Sequence, residues 1–266
     1  MYVTALVAQF PISLSIGQNL ESIKQILGHA QPGDLVLLPE GSVSGYSLDL
    51  SFLEALDLLE LESGLALLQS EARERRIHLW VGACLNKDGR WFNAAIGYSP
   101  NGEKRVYHKV NLANHERSTF TAGSDLPVFR LHSSDGKVAI GVQICRELRY
   151  PEQWGWLARG GAQIILHLDN AVGHAWNLPV WRSHLVSRAA ETQRFVLSAN
   201  NAAPEQNSPT IAIAPDGRVL GEIVSDRLEV MRVDLDLSLV SNGYLDQCRT
   251  DLVTIGPGKD TSKRGQ

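Results

Sequence analysis

Paired cysteines are missing from this chain. Cys84, Cys145 and Cys248 are widely spaced, odd in number and without any C-x-x-C spacing. That argues against a disulfide framework or a zinc site and favours a reducing, cytoplasmic setting. Excess positive charge is missing as well. The formal net charge is −4 and no basic run is dense enough to reverse it, so nucleic acid is not expected as a partner, because phosphate binding needs a basic surface. ARERRIH (72–78) reads as one face of a helix and the terminal KRGQ as a solvated tail. No segment approaches the roughly 20 apolar residues that span a bilayer. The opening MYVTALVAQF lacks a positive leader and a small-residue cleavage pattern, so neither a membrane partner nor a targeting segment is expected.

Several fingerprints also fail. GSVSG (41–45) carries Val43 where G-x-S-x-G needs a serine. GPGKD (256–260) lacks the Walker A spacing, HERST is not H-E-x-x-H, and no glycine-rich dinucleotide turn appears. Repeats and low-complexity tracts are absent too. The expectation is a protein that works without cofactor or metal.

What is present is a regular alternation of strand and helix patterns through 266 residues, 44% of them hydrophobic and 20% charged. This predicts a single α/β domain over 1–266, with 240–266 a polar, Gly/Pro-containing tail. YVTALVAQF reads as a strand. NLESIKQILGHA has helical spacing with Asn19 placed to cap it. DLVLLPE is a continuous apolar run suited to a sheet buried on both faces. LESGLALLQSEARERR is helical, IHLWVGACL is a strand, and WFNAAIGYSPNGEKRVYHKV is two strands about a Pro100–Asn101–Gly102 turn. KVAIGVQI is a strand followed by a helix over 151–159, where Pro151 suits the first turn. QIILHL, a helix over 175–192, FVLSAN, PTIAIAP, RVLGEIV and LEVMRVDL complete the pattern. At least eight strands exceed what a simple open sheet often carries, and two packed sheets under helices would suit that count.

Three residues sit at or beside strand ends with chemistry to offer. Cys145 follows KVAIGVQI and precedes polar residues and a Pro-started helix, a place where sites form and where a helix N-terminus can lower a thiol pKa. A buried structural cysteine is the other reading. Glu40 ends DLVLLPE before the small-residue turn GSVSGY, either as a surface strand end or as a site carboxylate. Lys109 lies opposite Val106, His108, Val110 and Leu112 in an alternating run, so by itself it reads as a solvated lysine. Cys84 and Cys248 lack any such context.

Together these residues resemble the nitrilase superfamily of carbon–nitrogen hydrolases, over about residues 3–252. LLPEGSVSGY is similar to the family's glutamate segment and YHKVNL to its lysine segment. HERSTFTAG matches the stretch holding a second glutamate, here Glu116 with Phe120 and Gly123. QICRELRYPEQWGWLARGGAQII is similar to the cysteine segment, and RAAETQRFVLSANN and IAPDGRVLGE to further landmarks. Each motif is weak alone; their order is specific.

The resemblance implies a four-layer α-β-β-α sandwich, a Glu40–Lys109–Cys145 triad, and a homodimer or larger homo-oligomer. It implies that Cys145 attacks an amide-type carbon while Glu40 carries the proton. Lys109 and the Arg146 N–H would hold the oxyanion, with Glu116 orienting Lys109 or the leaving amine. The pattern after Cys145 is closer to amidase and carbamoylase branches than to nitrilases, which favours a small linear amide. A nitrilase, an N-carbamoyl amine hydrolase and a catalytically silent binding relative are the alternatives.

Arg146 could bind a substrate carboxylate or pair with Glu147 or another acid at the surface, and Arg149 has the same two readings. Asp169 and Asn170, in HLDNAVGHAWN (167–177), could line the substrate pocket or make only local turn bonds. His167 and His174 with Asp169 lack a defined metal spacing. Trp154, Trp156, Trp176 and Trp181 read as core and interface.

Overall fold

Strands that are apolar on both faces require cover on both sides. Leu35–Leu37 (β2) illustrates this: Leu35 and Leu37 face a second sheet, while Val36 and the following Leu38 pack beneath helices. The computed structural model describes residues 1–133, 136–173 and 177–249. Tyr2–Gln9 (β1) and β2 run parallel to His78–Lys87 (β3), which turns back into Arg90–Tyr98 (β4) and Lys104–His108 (β5). Glu229–Asp236 (β12) closes that sheet beside β1, giving the order β12-β1-β2-β3-β4-β5.

The second sheet repeats the plan. Gly136–Ile144 (β7), Ile164–Leu168 (β8) and Phe195–Ala199 (β9) are its parallel centre. Phe129–Ser133 (β6) pairs antiparallel with β7, and Thr210–Ile213 (β10) with Val219–Ile223 (β11) extends the other edge.

Three apolar layers bind these parts. Val7, Leu37, Trp80, Ile140, Val142, Leu166 and Leu197 fill the space between the sheets. Ile16–Leu27 (α1) and Leu58–Arg75 (α2) cover the first sheet through Ile23, Ile26, Leu61, Leu65 and Leu68. Pro151–Arg159 (α3) and Leu178–Thr192 (α4) cover the second through Trp154, Leu157, Trp181 and Leu185. The architecture is therefore the expected α-β-β-α sandwich. Among the described residues no helix is long and apolar enough to cross a membrane.

Local departures have physical reasons. The first helix starts one turn earlier than its apolar spacing indicates, and Ser15 caps it by accepting from the Gln18 N–H. Asn19 is not the cap. It is buried, accepts from Ser13 N–H at 2.9 Å, and donates to the carbonyls of Ser13 and Val43 at 2.7 and 3.2 Å. It thereby braces the turn behind Glu40. The short edge strand β6 went unrecognised because its few residues lack a long apolar run. Of the tryptophans, Trp154 and Trp181 are core, Trp156 is exposed, and Trp176 lies outside the described residues.

Trp80 pairs across the ladder with Gly97, and its indole lies over that glycine. A Cβ on Gly97 would stand 2.6–2.8 Å from the ring, whose other side belongs to the inter-sheet core. Gly97→Ala should therefore cost about 1–3 kcal/mol through overpacking, read as a lower denaturant midpoint at unchanged slope. An unchanged midpoint would mean that the indole shifts freely.

Candidate active site

The turn after β2 brings Glu40 against the centre of the first sheet. Beyond Leu38 the ladder to β3 is continued by side chains: Ser42 Oγ accepts from Gly82 N–H at 2.9 Å and Ser44 Oγ from Cys84 N–H at 2.8 Å. The backbone at Glu40 lies so close to β3 that a Cβ on Gly82 would meet Gly41 N, Pro39 O and Glu40 Cα at 2.5–2.7 Å. Within GSVSG, Gly41 and Gly45 take φ +68° and +77°, the left-handed region that favours glycine.

Lys109 follows β5 directly, and its N–H donates to the Asn93 carbonyl on β4 at 2.9 Å. The solvated reading of this lysine fails, since Lys109 is 1% exposed and Glu40 and Glu116 are both 0%. Its ammonium stands 3.0 Å from Glu40 and 3.0 Å from Glu116. Asn93 Nδ2 donates to Glu40 Oε1 at 2.6 Å and to Glu116 Oε1 at 2.8 Å. Tyr46 O–H and the Ala113 N–H also donate to Glu116, at 2.7 and 2.6 Å.

These contacts separate the two glutamates. Burial, opposed by Lys109, lifts Glu40 to about 7. Glu116 is buried as well, but Lys109, Tyr46, Ala113 and Asn93 outweigh that burial and hold it below the usual carboxylate range. Burial works against the charge on Lys109, yet the Glu40 carboxylate in particular raises its pKa above the ordinary lysine value. One carboxylate is poised to exchange a proton near neutrality while the other stays a fixed negative partner.

Cys145 arrives from the second sheet. It sits just past β7 with φ +46°, a left-handed conformation that turns the chain sharply into the short 3-10 segment Cys145–Arg149. The residue keeps partial solvent exposure. Its Sγ, a Glu40 carboxylate oxygen and an Asp169 carboxylate oxygen all lie within 4.8 Å of one another. Any lowering of the thiol pKa by a helix N-terminus is outweighed. Burial, then the Glu40 and Asp169 charges, push it well above the usual cysteine value, so the resting group is a thiol that must hand over its proton on attack. Cys84 is buried with its thiol raised to about 12 by burial, and Cys248 is exposed.

Sequence reasoning did not find Asn93, Tyr46, Tyr107 or the true place of Glu147. A lone polar residue within the apolar WFNAAIGY was the available signal for Asn93. Glu147 does not pair with Arg146. It is buried and accepts from Tyr107 O–H at 2.8 Å and from the N–H groups of Val110, Asn111 and Ile144 at 2.8, 3.0 and 2.8 Å. One carboxylate thus ties the chain after Lys109 to the residue before Cys145.

Arg146 is exposed, with no ion pair among the described residues, and its N–H lies in the first turn of the 3-10 segment, where no intrahelical acceptor exists. Arg149 is structural, stacked 5.4 Å over Trp181 and 3.1 Å from His184 Nε2. Asn170 Nδ2 donates to the Glu40 carbonyl at 3.4 Å, and its Oδ1 accepts from Asn201. His167 is no metal ligand: Nε2 faces the Cys145 carbonyl at 3.1 Å and so carries the hydrogen, leaving Nδ1 to accept from Ser198 at 2.8 Å. His174 lies outside the described residues.

The sequence profile of the carbon–nitrogen hydrolases matches residues 4–243. The chain belongs to the carbon–nitrogen hydrolase family. It is 28% identical to an (R)-stereoselective amidase from a Pseudomonas species, over 84% of this hydrolase and 80% of that protein. It is 29% identical to a 2-oxoglutaramate amidase from Bacillus subtilis, over 84% and 88% of the two chains. A cysteine-to-alanine variant of the amidase from Nesterenkonia sp. AN1, in complex with butyramide, superposes with a TM-score of 0.78 at 23% identity, covering 93% of this chain and 94% of that one. At that identity the superposition shows a shared fold.

In this hydrolase Lys109→Met would leave Glu40 and Glu116 buried without their cation. The expected loss is about 3–5 kcal/mol at pH 8, shrinking toward pH 5 as one carboxylate takes up a proton. Urea unfolding of wild type and variant at both pH values measures it. An equal loss at pH 8 and pH 5 would contradict the charge argument.

Proposed function

We propose that this hydrolase cleaves the C–N bond of small linear amides through a thioester on Cys145. The observation that carries the reading is the solvent-free Glu40–Lys109 contact of 3.0 Å, with the Cys145 thiol within 4.8 Å of the same glutamate. In this reading Glu40 removes the thiol proton as sulfur attacks the amide carbon. The oxyanion is held by the Lys109 ammonium and the Arg146 N–H. Glu40 returns the proton to the leaving nitrogen, ammonia departs, and a thioester remains. Glu40 then deprotonates the water that cleaves the thioester, and the proton goes back to sulfur. Glu116 keeps Lys109 charged and in place. Amide rather than nitrile chemistry is supported by the amidase relatives and by the butyramide complex of the similar fold.

The same reading extends to assembly and setting. α4 packs on both α3 and the short helix Gly243–Gln247 (α5), and these three helices carry exposed Trp156, Val180 and Tyr244. An apolar patch of this kind supports a homo-oligomer formed through that layer. Free Cys84, Cys145 and Cys248 support a cytoplasmic location.

Ammonia and acid should form in equal amounts from a simple amide, and Cys145→Ala should abolish both. Loss of one oxyanion donor typically costs about 100–1000-fold in kcat, which is the drop expected for Lys109→Met. The rate should also follow Glu40. Its carboxylate is the working form, so with a pKa of about 7 kcat/KM should fall about tenfold per pH unit below that value and level off above it. A pH profile flat from pH 5 to 8, or activity kept in Glu40→Gln, would remove Glu40 from this role.

A further inference from the structure

Asp169 is fully buried, and neither carboxylate oxygen has a hydrogen-bond partner among the described residues. A buried carboxylate without a partner is costly, so its surroundings matter. Its backbone is held on both sides: its N–H donates to the Ala199 carbonyl at 2.8 Å, and its carbonyl accepts from Glu40 N–H at 3.3 Å. The side chain is therefore set beside Cys145 by the ladder.

Among the described residues no cation serves it. The Lys109 ammonium is committed to Glu40 and Glu116. His167 has both ring nitrogens occupied, and burial lowers its pKa, so it stays neutral. Arg146 is exposed. Among the described residues the site thus sets three carboxylates, Glu40, Glu116 and Asp169, against the one ammonium of Lys109. A positive group brought by the substrate would supply both the missing hydrogen-bond donors and the missing charge.

We infer that Asp169 is a specificity-determining residue that selects amides bearing a protonated primary amine one or two carbons from the carbonyl. This rests on the amidase reading above. With single bonds of about 1.5 Å, such an amine bridges from a carbon on Sγ to the Asp169 carboxylate, whose nearest oxygen lies within 4.8 Å of that sulfur. Glu40 remains free for proton transfer to and from the scissile nitrogen.

The test compares matched substrates in which an ammonium replaces a methyl: glycinamide with propionamide, and β-alaninamide with butyramide, at pH 7. Wild type should favour each cationic member by about 10–100-fold in kcat/KM, the range of a charge-assisted hydrogen bond. Asp169→Asn should bring that ratio near one. Equal rates in wild type would overturn the proposal and leave the amidase reading intact. So would an Asp169→Asn loss shared equally by both members, since that would put Asp169 on the leaving nitrogen. Calorimetric titration of Cys145→Ser with β-alaninamide and butyramide gives an independent readout should Asp169→Asn not fold. Tighter binding of the cation by about tenfold is expected, and equal affinities overturn the proposal. If wild type cleaves no amide while Cys145→Ser still prefers β-alaninamide, the amidase reading fails and the cation site stands.

Discussion

An ammonium group shut away from water must have its hydration shell replaced, and most of this active centre is organised around doing that for Lys109. Two hydrogen bonds come from Glu40 Oε1 and Glu116 Oε1, on segments far apart in sequence, which leaves one N–H of the ammonium for a further acceptor. Two carboxylates so close would repel, which is why Asn93 donates to both and Tyr46 and the Ala113 N–H are directed at Glu116. The network is not evenly satisfied, since Glu40 Oε2 has no hydrogen-bond partner among the described residues. Its asymmetry is what makes it useful. Most donors serve Glu116, so Glu40 is left as the weaker acid and the one able to exchange protons.

Rigid placement of the nucleophile follows from a second buried carboxylate. Glu147 gathers N–H groups from both sheets, so the Lys109 segment and the Cys145 turn are tied to one carboxylate. Preorganisation of this kind lets fixed dipoles act on a developing charge without reorganising at the moment of reaction. The thiol is held in its protonated form, which limits stray reaction and makes base-assisted attack the route to acylation.

Much of this was legible in the sequence. Apolar runs and turn residues located most strands and helices, and α3 begins at the proline and ends at the arginine that the pattern indicated. Glu40, Lys109, Glu116 and Cys145 stood out through ordered motifs, and the structure brings all four together. What escaped were residues whose importance is a matter of partners. Glu147 beside Arg146 looks like half of a local ion pair, because adjacency is visible in a sequence and burial is not. Asn19 fits a helix cap by type, while Ser15 holds that position and Asn19 is needed to bond across to Val43. The thiol pKa escapes the sequence for a similar reason: a helix start can be read from Pro151, but burial and the carboxylates of Glu40 and Asp169 depend on other strands.

The side chains of the site are divided between the two sheets, with Glu40, Lys109 and Glu116 on the first and Cys145 and Asp169 on the second. The first sheet is itself closed by β12 against β1, where Thr4 bonds Asp234 across 230 positions of chain. Joining segments so distant carries a loop-closure entropy that local contacts do not. A growing or partly unfolded chain therefore carries Cys145 as a bare thiol, with no base or ammonium beside it. Base-assisted attack therefore depends on the two sheets being joined, and each sheet alone holds only part of the chemistry.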